Sequence, residues 1–246
     1  PLEEANARVT RAALLAAAVD LDTSTEEADR ILKIEGAGPL ACLLGWTARI
    51  VVHLMRGQLK EAEDGLESAN RIVATGNPSD PSFVLAFAAF GALSFEVYME
   101  TPNGQSKAAN LIPMAEFGLL SLSEPSARIA RALLGLAKAR LAVWRGDEDA
   151  LELARTAVEN EALKAQAPYR TLLVRAHLVH AEALMKTDAS SAIEAAEEAL
   201  SISRLYRFSF LECDALLAQA AIRLKIGAVA KARIALDLAA RIVSRG

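Results

Sequence analysis

The sequence predicts an all-α fold, an α-solenoid of about six antiparallel helix pairs that forms one domain over residues 1–246. Ala and Leu dominate the composition, Gly and Pro number only 13 and 8, and runs of β-branched residues are scarce, which favours helices over strands. Apolar residues recur with the helical period along nearly the whole chain. Turn-forming residues interrupt this period at similar intervals, as expected for a repeat array.

The boundaries of the helix pairs follow from the points at which the helical period stops. In the first pair, Ser24 and Glu27 have the spacing of a capping box at the start of the second helix. The second helix of the third pair contains Pro113 and should end or bend there. Asp188 should cap the second helix of the fifth pair. The six expected pairs cover residues 5–35, 40–74, 82–122, 126–163, 169–202 and 207–243.

Alanines mark the second helix of each expected pair. The opening alanines are Ala28, Ala62, Ala108, Ala150, Ala192 and Ala232. Seven residues after five of them stand Ala69, Ala115, Ala157, Ala199 and Ala239. Because seven residues make about two helical turns, each alanine pair should lie on one face, where neighbouring helices approach closely. The turns before these helices contain glycines suited to a left-handed conformation, namely Gly57, Gly104, Gly146 and Gly227.

A glycine between two helices, followed by small residues at the helix crossings, resembles the tetratricopeptide repeat. The opening alanines are separated by 34, 46, 42, 42 and 40 residues, and the first of these intervals is that of the family. The longer intervals resemble the tetratricopeptide-like sensor region of MalT-type proteins, which belong to large signal-transduction ATPases and LuxR-type transcription regulators. This resemblance implies a right-handed superhelix whose first helices line a concave binding surface.

Composition excludes several classes of function. Lys and Arg total 27 and Asp and Glu total 31, and the resulting net charge of −4 argues against direct nucleic-acid binding. Only two cysteines are present, which favours a reducing cytoplasm over a secreted disulfide framework. The longest charge-free runs are too short to span a membrane. The chain starts at Pro1 without Met or a signal segment, so we expect an excised or processed fragment.

Motifs for catalysis and cofactor binding are missing from the sequence. It has no phosphate loop, no dinucleotide fingerprint, no zinc-protease motif and no nucleophile elbow, so we expect no enzyme activity and no cofactor. His177 and His180 could share a metal ion with Cys213 as third ligand, but packing at a helix crossing is the interpretation we favour, and no metal site is expected. Cys42 and Cys213 have the apolar setting of small core residues.

Aromatic residues concentrate in the third pair. Phe83, Phe87 and Phe90 fall on one helical stripe, and three more aromatics follow at Phe95, Tyr98 and Phe117. We favour an enlarged core, which would compensate for the longest repeat. The alternative is an apolar surface for a partner or for dimerisation.

Counting back from each turn gives the residues that should face the concave surface. The second pair contributes the apolar set Leu44, Thr47, Val51 and Met55. The fourth to sixth pairs contribute the predicted binding residues Arg140, Trp144, Arg175, Glu182, Lys186, Asp214 and Lys225. A peptide with an apolar segment followed by an acidic one would suit such a groove. Alternatively, these charges merely solvate exposed helix faces.

The sequence therefore favours a non-enzymatic module for protein–protein interaction or sensing, a scaffold within a cytoplasmic multidomain regulator of transcription or signal transduction. Its partner would be a protein, a peptide or a neighbouring domain of the same polypeptide, without direct contact to nucleic acid or membranes. One alternative is a receptor that holds a small-molecule effector around Arg140, Trp144 and Arg175. Another is a structural subunit of a larger complex that associates through its ends.

Overall fold

A computed structural model describes residues 20–34, 36, 38–77, 79–119, 124–165 and 170–244. All regular secondary structure in these residues is helical, which confirms the predicted all-α helical-repeat fold class. The helices are α1 (Leu21–Leu32), α2 (Pro39–Met55), α3 (Leu59–Val73), α4 (Pro81–Glu100), α5 (Gln105–Leu119), α6 (Glu124–Arg145), α7 (Ala150–Glu159), α8 (Glu161–Ala165), α9 (Arg170–Leu184), α10 (Ala189–Leu205), α11 (Ser209–Lys225) and α12 (Val229–Val243). None of the helices in the described ranges is both long and apolar enough to cross a membrane.

The chain divides into two compact units, residues 1–134 and residues 135–246, with the division inside α6. In the first unit, α2 packs against α1, α3 and α4, and α4 also packs against α3 and α5. In the second unit, α9 packs against α7, α8, α10 and α11, and α11 also packs against α10 and α12. Each unit thus shows the pairing of consecutive helices that defines a helical repeat. A single domain over residues 1–246 stays a prediction.

Large apolar side chains form the core of the first unit. Leu43, Ile50, Leu66, Phe90 and Val97 are almost completely buried in one cluster contributed by α2, α3 and α4. Full burial of one such side chain contributes about 1.5–3 kcal/mol to stability. This cluster therefore explains why these three helices pack together.

Alanine predominates in the core of the second unit. One buried cluster joins α9, α10, α11 and α12 through Ala199, Ala215, Ala232 and Ala239 among others. A second cluster joins α9, α10 and α11 around Ala196. Small side chains let helix axes approach closely, so alanine suits the contacts among these helices.

The alanine register is confirmed at ten of its eleven positions. All six opening alanines are buried, and so are four of the five that follow seven residues later. Ala115 is exposed, so the prediction is wrong there. Ala115 lies two residues after Pro113, which removes one backbone hydrogen bond from α5. Within α5, the buried alanine register therefore ends before this proline. Helix α5 nevertheless continues past Pro113 to Leu119.

Three of the four turn glycines have the predicted left-handed conformation, with φ of +69° at Gly57 and +75° at Gly146 and Gly227. The prediction is wrong at Gly104, because the left-handed residue of that turn is Asn103, with φ of +61°. Gly104 is required for a different reason. A Cβ atom added there would lie 2.1 Å from the carbonyl oxygen of Tyr98. The turn therefore needs a glycine where two backbone segments nearly touch.

The capping box predicted at Ser24 and Glu27 is wrong. The helix starts earlier, at Leu21, because the side chain of Asp20 accepts a hydrogen bond of 3.2 Å from the backbone nitrogen of Thr23. Ser24 and Glu27 consequently lie inside α1, where both are buried.

The predicted cap at Asp188 is confirmed, since its Oδ1 accepts hydrogen bonds of 3.1 Å from the backbone nitrogens of Ser190 and Ser191. The second helix of the fourth pair, expected to be continuous to residue 163, is broken at Asn160 into α7 and α8. The Oδ1 of Asn160 accepts a hydrogen bond of 3.0 Å from the backbone nitrogen of Ala162 and so starts the new helix. The helix expected over residues 5–19 lies outside the described residues.

Candidate functional site

The predicted binding residues lie in the second unit, on or next to α6, α9 and α11. Helix α6 carries Arg140 and Trp144, α9 carries Arg175 and Glu182 with Lys186 just beyond its end, and α11 carries Asp214 and Lys225. None of the seven is buried, and 55% of Trp144 is exposed. All seven side chains are therefore at least partly accessible from solvent.

Four of these residues form one charge cluster, in which Arg140 interacts electrostatically with Arg175, Glu182 and Asp214. Partial burial and, to a smaller extent, the neighbouring Arg175 lower the pKa of Arg140, Glu182 and Asp214 oppose the shift, and the net pKa is about 10. Arg140 still carries its proton at neutral pH. The structure thus brings together two cations and two carboxylates contributed by three different helices.

Helix geometry explains the position of these side chains along each helix. Arg175 and Glu182 are seven residues apart on α9, which is about two turns, so they share a face. Arg140 and Trp144 are four residues apart on α6 and are neighbours on its surface. The indole of Trp144 therefore lies on the side of α6 that carries the charge cluster.

The two predicted lysines occupy helix ends. The Nζ of Lys225 donates a hydrogen bond of 2.8 Å to the carbonyl oxygen of Met185, just after the end of α9. It thereby satisfies one of the carbonyls that a helix terminus leaves without a partner. The Nζ of Lys186 lies 3.5 Å from the position that a Cβ at Gly146 would occupy, beside the turn after α6. Contact of either lysine with a ligand stays a prediction.

Two apolar side chains on α11 were missed from the sequence. Leu217 and Leu224 are 45% and 51% exposed. They follow Asp214 by three and ten residues, so they lie on the same side of α11 as this carboxylate. This helical spacing is visible in the sequence and could have identified both. With Trp144, the face combines exposed apolar groups with paired charges.

The two histidines lie at a helix crossing, because α9 packs against α7 and α8. Partial burial and, to a smaller extent, the nearby His180 and Lys164 together lower the pKa of His177 to about 4. Burial also lowers the pKa of His180, as does the nearby Arg155. These neighbouring positive charges oppose binding of a cation.

The third ligand considered for a metal, Cys213, belongs to a different environment. It packs against the core of α11 and α12. Burial raises the pKa of its thiol, and Asp214 and Glu212 raise it further. Within the described ranges, no group of three His, Cys, Asp or Glu side chains is placed to hold a metal ion.

The aromatic stripe of α4 belongs mainly to the core. Phe83, Phe90 and Phe95 are buried, while 42% of Phe87 is exposed. The ring of Phe83 covers Gly76 so closely that a Cβ there would lie 1.8 Å from its Cζ. The core interpretation is thus confirmed for these three residues, whereas the side chain of Phe117 lies outside those described. The apolar residues predicted to face the groove in the first unit are all partly exposed, namely Leu44, Thr47, Val51 and Met55.

No protein-family model matches the chain. No curated protein matches its sequence either. Among solved structures, the chain is similar to the apo form of RapI, with a TM-score of 0.54 and 15% sequence identity. The similarity covers 98% of this chain, which spans 66% of the length of RapI. At this identity the likeness shows the fold alone, and that fold is a helical repeat.

Proposed function

We propose that the chain is a non-enzymatic protein-interaction module, and that its second unit binds an extended peptide or protein segment. The charge cluster of Arg140, Arg175, Glu182 and Asp214, beside the exposed Trp144, carries this proposal. Three helices supply these side chains, so the cluster depends on the fold of the whole unit. Such an arrangement differs from a row of charges that solvates a single helix.

The chemistry of this face defines the partner. An exposed tryptophan offers a large, rigid contact surface, and tryptophan and arginine are enriched among the residues that dominate binding energies. The guanidinium groups of Arg140 and Arg175 can each hold a carboxylate with two hydrogen bonds. Leu217 and Leu224 provide apolar contacts on the same side of α11. The expected partner is therefore a segment in which a large apolar side chain is followed by an acidic one.

For the biological setting, we propose the sensor or interaction arm of a cytoplasmic, multidomain regulator of transcription or signalling, like the MalT-type region. The longer intervals between the opening alanines support this setting, as do the small number of cysteines and the net charge of −4. In this setting the chain acts as one continuous repeat domain without direct contact to nucleic acid. Other domains of the regulator would carry catalysis and DNA binding.

Selection from a random peptide library displayed on phage, with the immobilised chain as target, tests the proposal. Enriched peptides should carry an aromatic or aliphatic residue next to Asp or Glu, and their affinity is measured by fluorescence anisotropy. Trp144→Ala should weaken binding by about 2 kcal/mol, roughly thirtyfold. Arg175→Gln should weaken it by about tenfold, since a charge-assisted hydrogen bond is lost.

A matched control is Arg155→Gln on α7, which removes an exposed arginine that pairs with Glu152 away from the charge cluster. This control should leave peptide affinity within about twofold of the original value, as expected for a distant surface substitution. Peptides that bind the Trp144 and Arg175 variants as tightly as the unaltered chain would refute the proposed face. Failure to enrich any sequence would refute peptide binding itself.

A further inference from the structure

A pocket of about 540 Å³ lies between α10, α11 and α12, away from the charge cluster. All three helices contribute to its lining, among them Arg204 of α10, Leu216, Gln219 and Arg223 of α11, and Ala235 of α12. Gln219 follows Asp214 by five residues, which places it about 140° around α11 from that carboxylate. The pocket is thus separate from the face proposed to bind a peptide.

The pocket has an apolar floor and a polar rim. Leu216 and Ala235 are each 1% exposed and Leu200 is 9% exposed, so these side chains form the deep part. Glu197 and Ser201 on α10 are exposed and lie at the entrance. A volume of this size suits a small organic molecule with an apolar body.

Gln219, which lines this pocket, has a hydrogen-bond donor that no described residue pairs with. Its side chain is only 3% exposed, and its Nε2 has no hydrogen-bond partner among the described residues. A buried amide without a partner is rare and destabilising, whereas an acceptor placed beside it restores the missing bond. The nitrogen is covered by protein atoms, so the amide has to turn about its terminal bond to meet an incoming oxygen.

Two arginines add further donors at the same place. The side chain of Arg223 is only 18% exposed, and its Nη2 lies 3.6 Å from the Oε1 of Glu197, which is too long for a hydrogen bond. Arg204 donates a bond of 2.8 Å from its Nε to Glu212, and this bond does not use its two Nη groups. Among the described residues that line the pocket, Glu197 carries the single carboxylate, whereas Arg204, Arg223 and Gln219 carry donors; Glu212, which pairs with Arg204, lies outside this lining.

We propose that this pocket binds a small carboxylic acid with an apolar body. The carboxylate would lie between the guanidinium groups of Arg223 and Arg204 and accept a bond from the turned amide of Gln219. Bidentate pairing with a planar guanidinium favours a carboxylate, and the hydrocarbon would cover Leu216 and Ala235. The pocket thus gives the chain a small-molecule site in addition to its proposed peptide face.

Octanoate is the probe for this site, with octanol as the neutral molecule of matched length. Binding is measured by isothermal titration calorimetry and by nuclear magnetic resonance of the unaltered chain. Octanoate should bind saturably at millimolar concentration or below, and octanol about tenfold more weakly, because it cannot make the charge-assisted bonds. The side-chain resonances of Gln219 and Arg223 should shift on addition of octanoate.

Two substitutions separate ligand binding from a structural role. Arg223→Gln should weaken octanoate binding about tenfold, whereas the control Arg155→Gln on α7 should not change it. Gln219→Leu removes the unpaired donor at nearly constant volume. The ligand-free chain should therefore melt at the same or a higher temperature, while its affinity for octanoate falls severalfold. A purely structural glutamine would lower the melting temperature when replaced.

The proposal is overturned if octanoate shows no saturable binding at millimolar concentration, or if octanol binds equally well. Resonance shifts confined to the neighbourhood of Trp144, rather than around Gln219, would also overturn it. These measurements use the unaltered chain, so they decide the matter even if a variant fails to fold. A positive result would leave the peptide face untested, because the two sites lie on different sides of α11.

Discussion

Replacing Gly104 with alanine tests the role that the structure assigns to this residue. The added Cβ would lie 2.1 Å from the carbonyl oxygen of Tyr98 and 3.1 Å from that of Thr101. Both atoms belong to the backbone at the end of α4, so no side-chain rotation can relieve the contact. The connection between α4 and α5 has to shift instead.

The size of the effect follows from two opposing terms. Overpacking costs about 1–3 kcal/mol, and a clash with backbone belongs at the upper end of that range. Replacing glycine by alanine also restricts the unfolded chain, which returns about 0.4–1 kcal/mol. The expected net loss is about 2 kcal/mol, equivalent to a fall of about 4–8 °C in melting temperature for a chain of this length.

Gly227→Ala is the matched comparison, because nothing lies within 4 Å of its added Cβ and only its φ of +75° opposes a side chain. This variant should lose about 1 kcal/mol. Gly227→Asn should lose less, since asparagine tolerates the left-handed conformation, whereas Gly104→Asn should be no better than Gly104→Ala. Urea unfolding followed by circular dichroism measures all four variants. A loss at Gly104→Ala no greater than at Gly227→Ala would refute the close-contact argument.

Three further predictions address packing and titration. Ala62→Leu should lower the free energy of unfolding by about 1–3 kcal/mol because Ala62 is completely buried. Ala115→Leu, at an exposed position, should change it by less than about 0.5 kcal/mol, and urea unfolding compares the two variants. Asp188→Ala should lower the melting temperature at neutral pH because it removes the cap of α10. The hydroxyl and backbone nitrogen of Ser191 hold the folded-state pKa of Asp188 below its ordinary value, so the stabilisation by this cap should be lost as the pH falls through that folded pKa. A difference in melting temperature between the unaltered chain and Asp188→Ala that persists in strong acid would count against this prediction. The pKa of His177, about 4 in the folded chain, lies below the unfolded value of about 6.5, so stability should be lost as the pH falls from about 6.5 through 4. The free energy of unfolding should fall by about 2 kcal/mol over this pH range, since the ring is partly exposed. Urea unfolding at several pH values should show this fall in the unaltered chain but not in His177→Gln. Equal pH dependence of the two chains would contradict a neutral histidine in the folded state.

The fold could be predicted where local chemistry repeats with the period of the helix. The opening alanines lie at helix crossings because small side chains are needed wherever neighbouring helices touch, and this need recurs in every pair. Local competition between caps was harder to judge. Asp20 starts α1 ahead of Ser24, and Asn160 breaks the second helix of the fourth pair. Each supplies a side-chain acceptor that the helical period alone does not predict.

The two sites differ in predictability for a similar reason. That the four residues of the charge cluster lie near one another could be expected from their register. Arg140 and Glu182 stand six residues before the turns at Gly146 and Asp188, Arg175 and Asp214 stand thirteen residues before the turns at Asp188 and Gly227, and stacking brings such positions together. The pocket between α10, α11 and α12 could not be predicted, since its distinguishing feature is that the Nε2 of Gln219 makes no hydrogen bond to a residue that the structure describes. A sequence shows that a donor exists but not whether a neighbour satisfies it, and that depends on every element packed around it. The proposed peptide face thus rests on positions that recur along the chain, whereas the proposed site for a carboxylic acid rests on one unpaired amide, so the two proposals can be tested and can fail independently.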